Sequence, residues 1–168
     1  GYDPVMVVNA STTTVAMTGW RIGYIISTNL EAMKQVVKIQ YYISACSNDA
    51  MQYAVLEAME QANDYPSVMA AEFQQRCNLI VDRLNAMPGV QCHRPKGAIY
   101  VFPKVDVPGM NSEDIAMELL RDGVLCSPGS AFGPSGEGHL RFAYTISQAD
   151  IARGMDKVEA TLKRLQQA

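Results

Sequence analysis

The stretch "NASTTTVAMTGWRIGYIIS", from Asn9 to Ser27, joins a run of threonines to a segment suited to binding an anion. Gly19 allows a tight turn or a close approach of the backbone to a ligand. Arg21 carries a planar fork of N–H donors that matches a phosphate or a carboxylate. Further donors are the hydroxyls of Thr12, Thr14 and Thr18. Together these groups could hold a dianion, and a surface salt bridge of Arg21 is the structural alternative.

Hydrophobic periodicity predicts the elements around this stretch. The predicted strands are 5–8, 21–27, 90–95, 98–105, 124–129 and 139–145, and the first of them is expected to be buried. A polar loop is expected between the first two strands, and a turn at Lys96-Gly97 between the third and fourth. The predicted helices are 30–44, 50–61, 66–87, 112–123 and a final one with Ile151, Met155, Val158, Leu162 and Leu165 on one face. Asn111 or Ser112 is the expected cap of the fourth helix.

The order of these elements predicts an α/β protein with two domains. Residues 1–65 have the pattern of the end of a larger α/β domain, because two strands alone do not make a stable sheet. Residues 66–168 have enough alternating strands and amphipathic helices for a self-contained α+β domain. We therefore predict that the chain is a fragment of a longer protein.

Composition sets limits on the function. The chain has 168 residues with 18% charged side chains and a net charge of −3, which gives no reason to expect nucleic acid or a membrane as partner. No apolar run reaches the ~18 residues of a membrane span, and no signal peptide is recognisable, so we expect a cytoplasmic protein. The cysteines, Cys46, Cys77, Cys92 and Cys126, form no metal-binding spacing with either histidine, and we expect no metal and reduced, buried thiols.

A second candidate for anion binding is the segment "GHLRFAYTIS", from Gly138 to Ser147. Arg141 lies in an alternating strand between Leu140 and Phe142, so its guanidinium is expected to be partly buried. A partly buried arginine needs an anion. From the residues alone, that anion is either a ligand or an acidic side chain of the same protein.

The first stretch resembles a motif of the class I/II aminotransferases, the fold type I enzymes that use pyridoxal 5′-phosphate. The residues that carry the resemblance are "TTTVAMTGWRIGY", 12–24. The resemblance implies that Arg21 and Thr12 bind the phosphate of the cofactor. It also implies a lysine, eight residues before this arginine, that forms a Schiff base with the cofactor.

Position 13, where the resemblance places that lysine, is Thr13. A hydroxyl cannot form an imine, and it cannot replace an amine as the base that moves a proton during transamination. A deliberate substitution, an error in the residue assignment and a natural loss of activity are all open explanations. Because only Arg21 and hydroxyls would surround the phosphate, we do not expect the chain alone to be an active enzyme or to hold the cofactor well.

Three further segments agree with the same family. "GHLRFAY" resembles the segment whose arginine binds the substrate α-carboxylate with two hydrogen bonds, which assigns that role to Arg141. "PKGAIYVFPKV", 95–105, resembles a hairpin of the small domain in which Gly97 would come close to the substrate; a plain hairpin glycine is the alternative. "VLCSPGSAFG", 124–133, resembles a loop whose proline and glycines set a tight path.

The resemblance covers the whole chain but only the last portion, roughly 40 to 45%, of a two-domain family member. It implies an aminotransferase acting on an amino acid and a 2-oxo acid, normally as a homodimer, with a fold that ends a large cofactor-binding domain and adds a small C-terminal domain. It further predicts that Arg21 and Arg141 face the same cleft. Two alternatives stay open: a non-catalytic binding or regulatory module with this fold, and a related fold type I lyase.

Overall fold

A computed structural model of the protein describes residues 5–61 and 64–167. The chain divides into two compact units, Gly1–Met69 and Ala70–Ala168. The described α-helices are α1 (Ser11–Thr14), α2 (Leu30–Ser44), α3 (Asp49–Gln61), α4 (Tyr65–Asn85), α5 (Ser112–Arg121) and α6 (Gln148–Gln166). The described strands are β1 (Met6–Ala10), β2 (Gly23–Ser27), β3 (Val90–Gln91), β4 (Tyr100–Val101), β5 (Lys104–Val105), β6 (Ser127–Pro128) and β7 (Leu140–Ala143). The predicted domain boundary after residue 65 stays a prediction.

The first unit contains one antiparallel strand pair, β1 with β2, in which Val8 lies opposite Ile25. The segment between the strands was expected to be a loop, but it forms the single turn α1 and a 3₁₀ turn at Thr18–Trp20. The prediction that β1 is buried is wrong for this unit, since Val8 is 72% exposed. Two strands and the helices beside them are too few to enclose every apolar side chain of the unit.

The second unit has a continuous hydrophobic core. Leu84 of α4 and Leu119 of α5 are both 0% exposed. The side chains of α6 that join them lie three or four residues apart, as the helical period requires, and are Ile151, Met155, Val158 and Leu162. The amphipathic spacing of the sequence therefore identified the buried face of α6 correctly.

The strands of the second unit pair over long sequence distances. β3 pairs with β5, and a three-stranded antiparallel sheet has the order β4-β7-β6. The predicted antiparallel pairing about Lys96-Gly97 is present where β3 pairs with β5, with Val90 opposite Val105, but the segment after Gly97 is split into β4 and β5. Pro103 lies at the split and has no N–H to donate, but its carbonyl accepts a hydrogen bond from the N–H of Leu140 at 3.1 Å. β4 pairs with β7, with Tyr100 opposite Ala143.

Helix ends follow local hydrogen-bonding rules. Asn111 caps α5, as predicted, and its side chain accepts hydrogen bonds from the backbone N–H groups of Glu113 and Asp114. Gly123 follows α5 with a left-handed φ of 83°. Among the helices of the described residues, none combines the length and the apolar character that a membrane crossing requires.

The cysteines are free thiols, and only two of them match the expected burial. Cys77 and Cys92 are buried, Cys126 is partly buried, and Cys46 is exposed. Cys46 lies in the short break between α2 and α3, where the polar residues Ser47 and Asn48 surround it. Burial raises the pKa of the Cys92 thiol and of the Cys126 thiol to about 11, so both are protonated at neutral pH. Within residues 5–61 and 64–167, no three His, Cys, Asp or Glu side chains are grouped as metal ligands.

Candidate anion-binding site

The threonine run forms a compact turn in the first unit. The backbone N–H of Ser11 donates to the carbonyl of Ile22 at 3.1 Å, which fastens the start of α1 to the residue before β2. The hydroxyl of Thr18 donates to the carbonyl of Thr12 at 3.2 Å and closes the turn. Thr12 is partly buried and Thr13 is exposed. Position 13 is therefore accessible, but its side chain is a hydroxyl and not an amine.

Arg21 is held in a conformation that is unusual for a residue with a side chain. Its φ of 56° and ψ of 46° are left-handed, at the end of the 3₁₀ turn. Its Nη1 donates to the carbonyl of Thr18 at 3.2 Å. The left-handed conformation costs an L-residue other than glycine about 1–2 kcal/mol, and such strain is concentrated at functional sites.

A groove of about 590 Å³ in the first unit has Arg21 in its wall, together with Tyr24 of β2 and Gln40 of α2. Thr12 and Thr13 do not line this groove. Their connection to Arg21 runs through Thr18, which bonds to Arg21 with its carbonyl and to Thr12 with its hydroxyl.

The arginines of the described structure fall into two groups. The chain has eight arginines. Six of them form salt bridges with carboxylates: Arg76, Arg83, Arg94, Arg121, Arg153 and Arg164. Within the described residues, Arg21 and Arg141 have no carboxylate partner. These are the two arginines that the sequence motifs identified, one in each compact unit, and their predicted convergence on one cleft stays a prediction.

Arg141 lies in β7 between two aromatic rings. Its Cζ atom is 4.6 Å from the centroid of the Tyr100 ring and 4.6 Å from that of Phe132. Its Nη2 donates to the hydroxyl of Ser127 on the neighbouring strand at 3.2 Å. The internal salt bridge considered for this arginine is not formed with any described carboxylate, so a guanidinium with free N–H groups remains available to an external anion.

Two glycines give the loop before β7 its tight path. A Cβ atom on Gly129 would lie 2.0 Å from the carbonyl oxygen of Gly136, and one on Gly136 would lie 2.0 Å from that of Gly129. No side chain fits at either position without moving the backbone. The sequence analysis predicted that the proline and glycines of this loop set the path of the backbone. The close approach of the two backbones explains why glycine is needed at these positions.

Glu137 connects the same loop to the start of α5. Its carboxylate accepts hydrogen bonds from the backbone N–H and the hydroxyl of Ser112, at 2.7 and 3.0 Å. The N–H of Gly138 adds a third at 2.9 Å. The backbone N–H of Ser112, followed by that of Gly138, lowers the pKa of the Glu137 carboxyl below its ordinary value, because both hydrogen bonds stabilise the charged form.

Gly97 occupies open space at the surface of the second unit. A Cβ atom there would have no neighbour within 4 Å, and its φ is not left-handed. The left-handed residue is the next one, Ala98, with a φ of 64°. The packing of the unit therefore does not require glycine at position 97, and the proximity of a substrate to this residue stays a prediction.

The class of protein follows from this fold together with the motifs around the two free arginines. The chain belongs to the family Aminotransferase class I and II, whose model matches residues 1–158. It is 34% identical over 164 residues to an aspartate aminotransferase of Pyrococcus horikoshii, covering 96% of this chain and 42% of that protein. A probable N-acetyl-LL-diaminopimelate aminotransferase of Bacillus subtilis is 34% identical over 167 residues, covering 99% of this chain and 42% of its own length.

A solved structure agrees with these relatives. The aromatic aminotransferase of Pyrococcus horikoshii superposes with a TM-score of 0.89 at 33% identity, covering 96% of this chain and 44% of that one. The predicted fold class is thereby confirmed: the chain has the fold of the end of an aminotransferase large domain followed by a small α+β domain. The chain spans 42% of the length of the relatives named above.

The sequence analysis did not identify the residues around Arg141. Tyr100 was inside a predicted strand, Phe132 was inside the loop 124–133 that was expected only to set a tight path, and Ser127 was not singled out. Their positions next to Arg141 depend on the pairing of β7 with β4 on one side and with β6 on the other. The available signal was the strand alternation, which places Tyr100 and Arg141 on faces opposite to buried Val101 and Leu140.

Proposed function

We propose that the whole protein is a pyridoxal-phosphate-dependent aminotransferase that moves an amino group between an amino acid and a 2-oxo acid. In this proposal Arg141 binds the carboxylate of the substrate, and Arg21 and Thr12 bind the phosphate of the cofactor. The observation that carries it is the absence of a carboxylate partner for these two arginines among the described residues, while the other six are paired. A guanidinium with unpaired N–H groups is suited to an anionic ligand.

The residues around position 13 fit the cofactor only in part. Arg21 suits the phosphate. Thr13 does not suit the covalent bond to the cofactor, because a hydroxyl does not form an imine. We therefore derive no catalytic step for this chain and assign it the binding of two anions.

One observation favours a second candidate, a non-catalytic binding module with the same fold. Thr13 is exposed and has no amine neighbour in the turn, since Lys34 and Lys38 belong to α2. A protein that kept Arg21 and Arg141 and lost the amine would still bind a phosphate and a carboxylate. A Thr13→Lys variant, described below, distinguishes the aminotransferase from the binding module.

The names of the relatives do not identify the amino acid that would donate the amino group in this protein. They are named for aspartate, for N-acetyl-LL-diaminopimelate and for aromatic amino acids, although their identities to this chain lie within 33–34%. The chemistry shared by these names is an amino-acid carboxylate, which is the group that Arg141 would bind. We also propose a homodimer for the whole protein and, from its free thiols, a cytoplasmic location.

The test places a lysine at position 13 and traps its imine. The variant Thr13→Lys is mixed with excess pyridoxal 5′-phosphate, reduced with borohydride and mapped by peptide mass spectrometry. We expect a reduced adduct at position 13 and less of it in Thr13→Lys combined with Arg21→Gln. The matched control is Thr14→Lys, which presents the same amine one residue away.

Equal labelling at positions 13 and 14, unaffected by Arg21→Gln, would contradict the phosphate role of Arg21. The same variant in the whole protein distinguishes the two candidates. Transamination regained with Thr13→Lys supports the aminotransferase, whereas cofactor binding without regained transamination supports the binding module.

A further inference from the structure

The guanidinium of Arg141 lies over two aromatic rings. The rings of Tyr100 and Phe132 lie at the same distance from Cζ, 4.6 Å to each centroid. In the plane of the guanidinium, Ser127 accepts one hydrogen bond from Nη2 at 3.2 Å. Two rings and one hydroxyl thus contact this guanidinium, and its remaining N–H groups have no carboxylate partner among the described residues.

The two rings come from different parts of the second unit. Tyr100 is on β4 and Arg141 on β7, and the sheet order puts these strands side by side. Phe132 ends the 3₁₀ turn Gly129–Phe132, which directly follows β6. The rings are 40% and 52% exposed, so burial in the core does not explain their placement.

A second layer of contacts holds Phe132 in position. Phe102 meets the Phe132 ring edge to face, with centroids 5.9 Å apart and an angle of 90°. On its other side, Phe102 stacks on His139 at 5.1 Å and 9°. The loop itself is fastened by the close approach of Gly129 and Gly136.

We propose that Tyr100 and Phe132 are positioning residues, which hold the guanidinium of Arg141 in one plane so that it meets a carboxylate edge-on with two hydrogen bonds. A two-bond contact requires the guanidinium and the carboxylate to be coplanar, and a side chain held in that orientation beforehand loses less freedom on binding. The attraction between a guanidinium and an aromatic face supplies the force that holds it. This proposal rests on the proposed carboxylate role of Arg141.

The test compares variants that lose a ring with variants that keep one. Tyr100→Leu and Phe132→Leu each remove one of the two rings, whereas Tyr100→Phe and Phe132→Tyr keep an aromatic ring at the same position. Leu125→Ala, at a side chain that is 82% exposed, is the control elsewhere in the unit. The chain is labelled for NMR and titrated with propanoate, with the uncharged propanamide as the matched ligand control.

Two readouts are expected to change together. In the original chain the ring currents of Tyr100 and Phe132 shift the Hδ and Hε resonances of Arg141 upfield, and each leucine variant moves them back toward ordinary values. The dissociation constant for propanoate rises by about threefold to tenfold in the leucine variants, because the arginine must then be ordered by the ligand. The ring-keeping variants recover both properties, and Leu125→Ala changes neither.

The outcomes separate this inference from the proposed function. If Arg141→Lys binds propanoate as well as the original chain does, the carboxylate role of Arg141 fails. If Arg141→Lys loses binding and the leucine variants keep it, that role stands and the positioning role is overturned. Unshifted Arg141 resonances in the original chain would also overturn the positioning role, independently of any ligand.

Discussion

The two carboxylate oxygens of Glu137 each accept a hydrogen bond from Ser112, one from its backbone N–H at 2.7 Å and one from its hydroxyl at 3.0 Å. Ser112 is the first residue of α5 and is 1% exposed. Its hydroxyl also accepts a hydrogen bond from the backbone N–H of Ser130 at 3.3 Å. A single pair of residues thus connects the start of a core helix to the loop that carries Phe132.

We predict that Glu137→Gln destabilises the chain near neutral pH and much less in acid. The pKa of Glu137 lies below its ordinary value of 4.5 in the folded chain, so its contribution is complete above that value and is lost as the pH falls through the lowered pKa. Urea unfolding of both proteins between pH 7 and pH 3 measures the difference. Glu113→Gln in the same helical turn is the control, and a difference that grows toward acid would contradict the sign.

Gly129→Ala is expected to destabilise the second unit by roughly 1–3 kcal/mol, as overpacking does, because its Cβ would overlap the Gly136 carbonyl. Gly154→Ala is the matched control, since a Cβ there meets nothing within 4 Å and the residue lies inside α6. Replacing a helix-interior glycine should stabilise by about 1 kcal/mol. Opposite shifts of the two midpoints in chemical denaturation are the expected result.

Ala98→Gly should stabilise the chain by about 1 kcal/mol, because glycine adopts a left-handed φ without the strain of a Cβ. The neighbouring Gly97→Ala has no steric conflict and should leave stability unchanged or slightly higher. Denaturant midpoints measure both effects. A marked loss of stability in Gly97→Ala would show that the fold, and not a ligand, needs glycine at that position.

Arg21→Gly should relieve strain in the first unit by about 1 kcal/mol and at the same time weaken cofactor binding. Hydrogen exchange of the turn between β1 and β2 reports the first effect, and the yield of reduced adduct in a Thr13→Lys background reports the second. Arg21→Lys is the control, because it keeps a positive charge together with the strain. Weaker protection of the turn in Arg21→Gly would falsify the assignment of strain to this residue.

Leu84→Ala should cost about 2–5 kcal/mol of unfolding free energy, because Leu84 is 0% exposed in the core of the second unit. Leu125→Ala removes the same atoms from a side chain that is 82% exposed and should change stability by less than about 0.5 kcal/mol. Equilibrium urea unfolding of the three proteins makes the comparison. Similar costs at the two positions would contradict the placement of the core.

Helices, caps and the two motifs that contain Arg21 and Arg141 were predictable because they depend on residues that are close in sequence. The spacing of apolar side chains located α4 and α6, and the cap at Asn111 depends on N–H groups two and three residues away. The family motif around Arg21 is likewise a contiguous segment. Pattern and local hydrogen bonding therefore determined the helical framework and the candidate arginines.

Only the tertiary structure decided which strands pair and what surrounds each arginine. β4 finds its partner β7 about forty residues later in the chain, with Tyr100 opposite Ala143. That pairing brings Tyr100 to Arg141, and the loop closed by Gly129 and Gly136 brings Phe132 to the same guanidinium. Whether an arginine meets a carboxylate or stays free depends on groups that are distant in sequence, and folding alone brings these together.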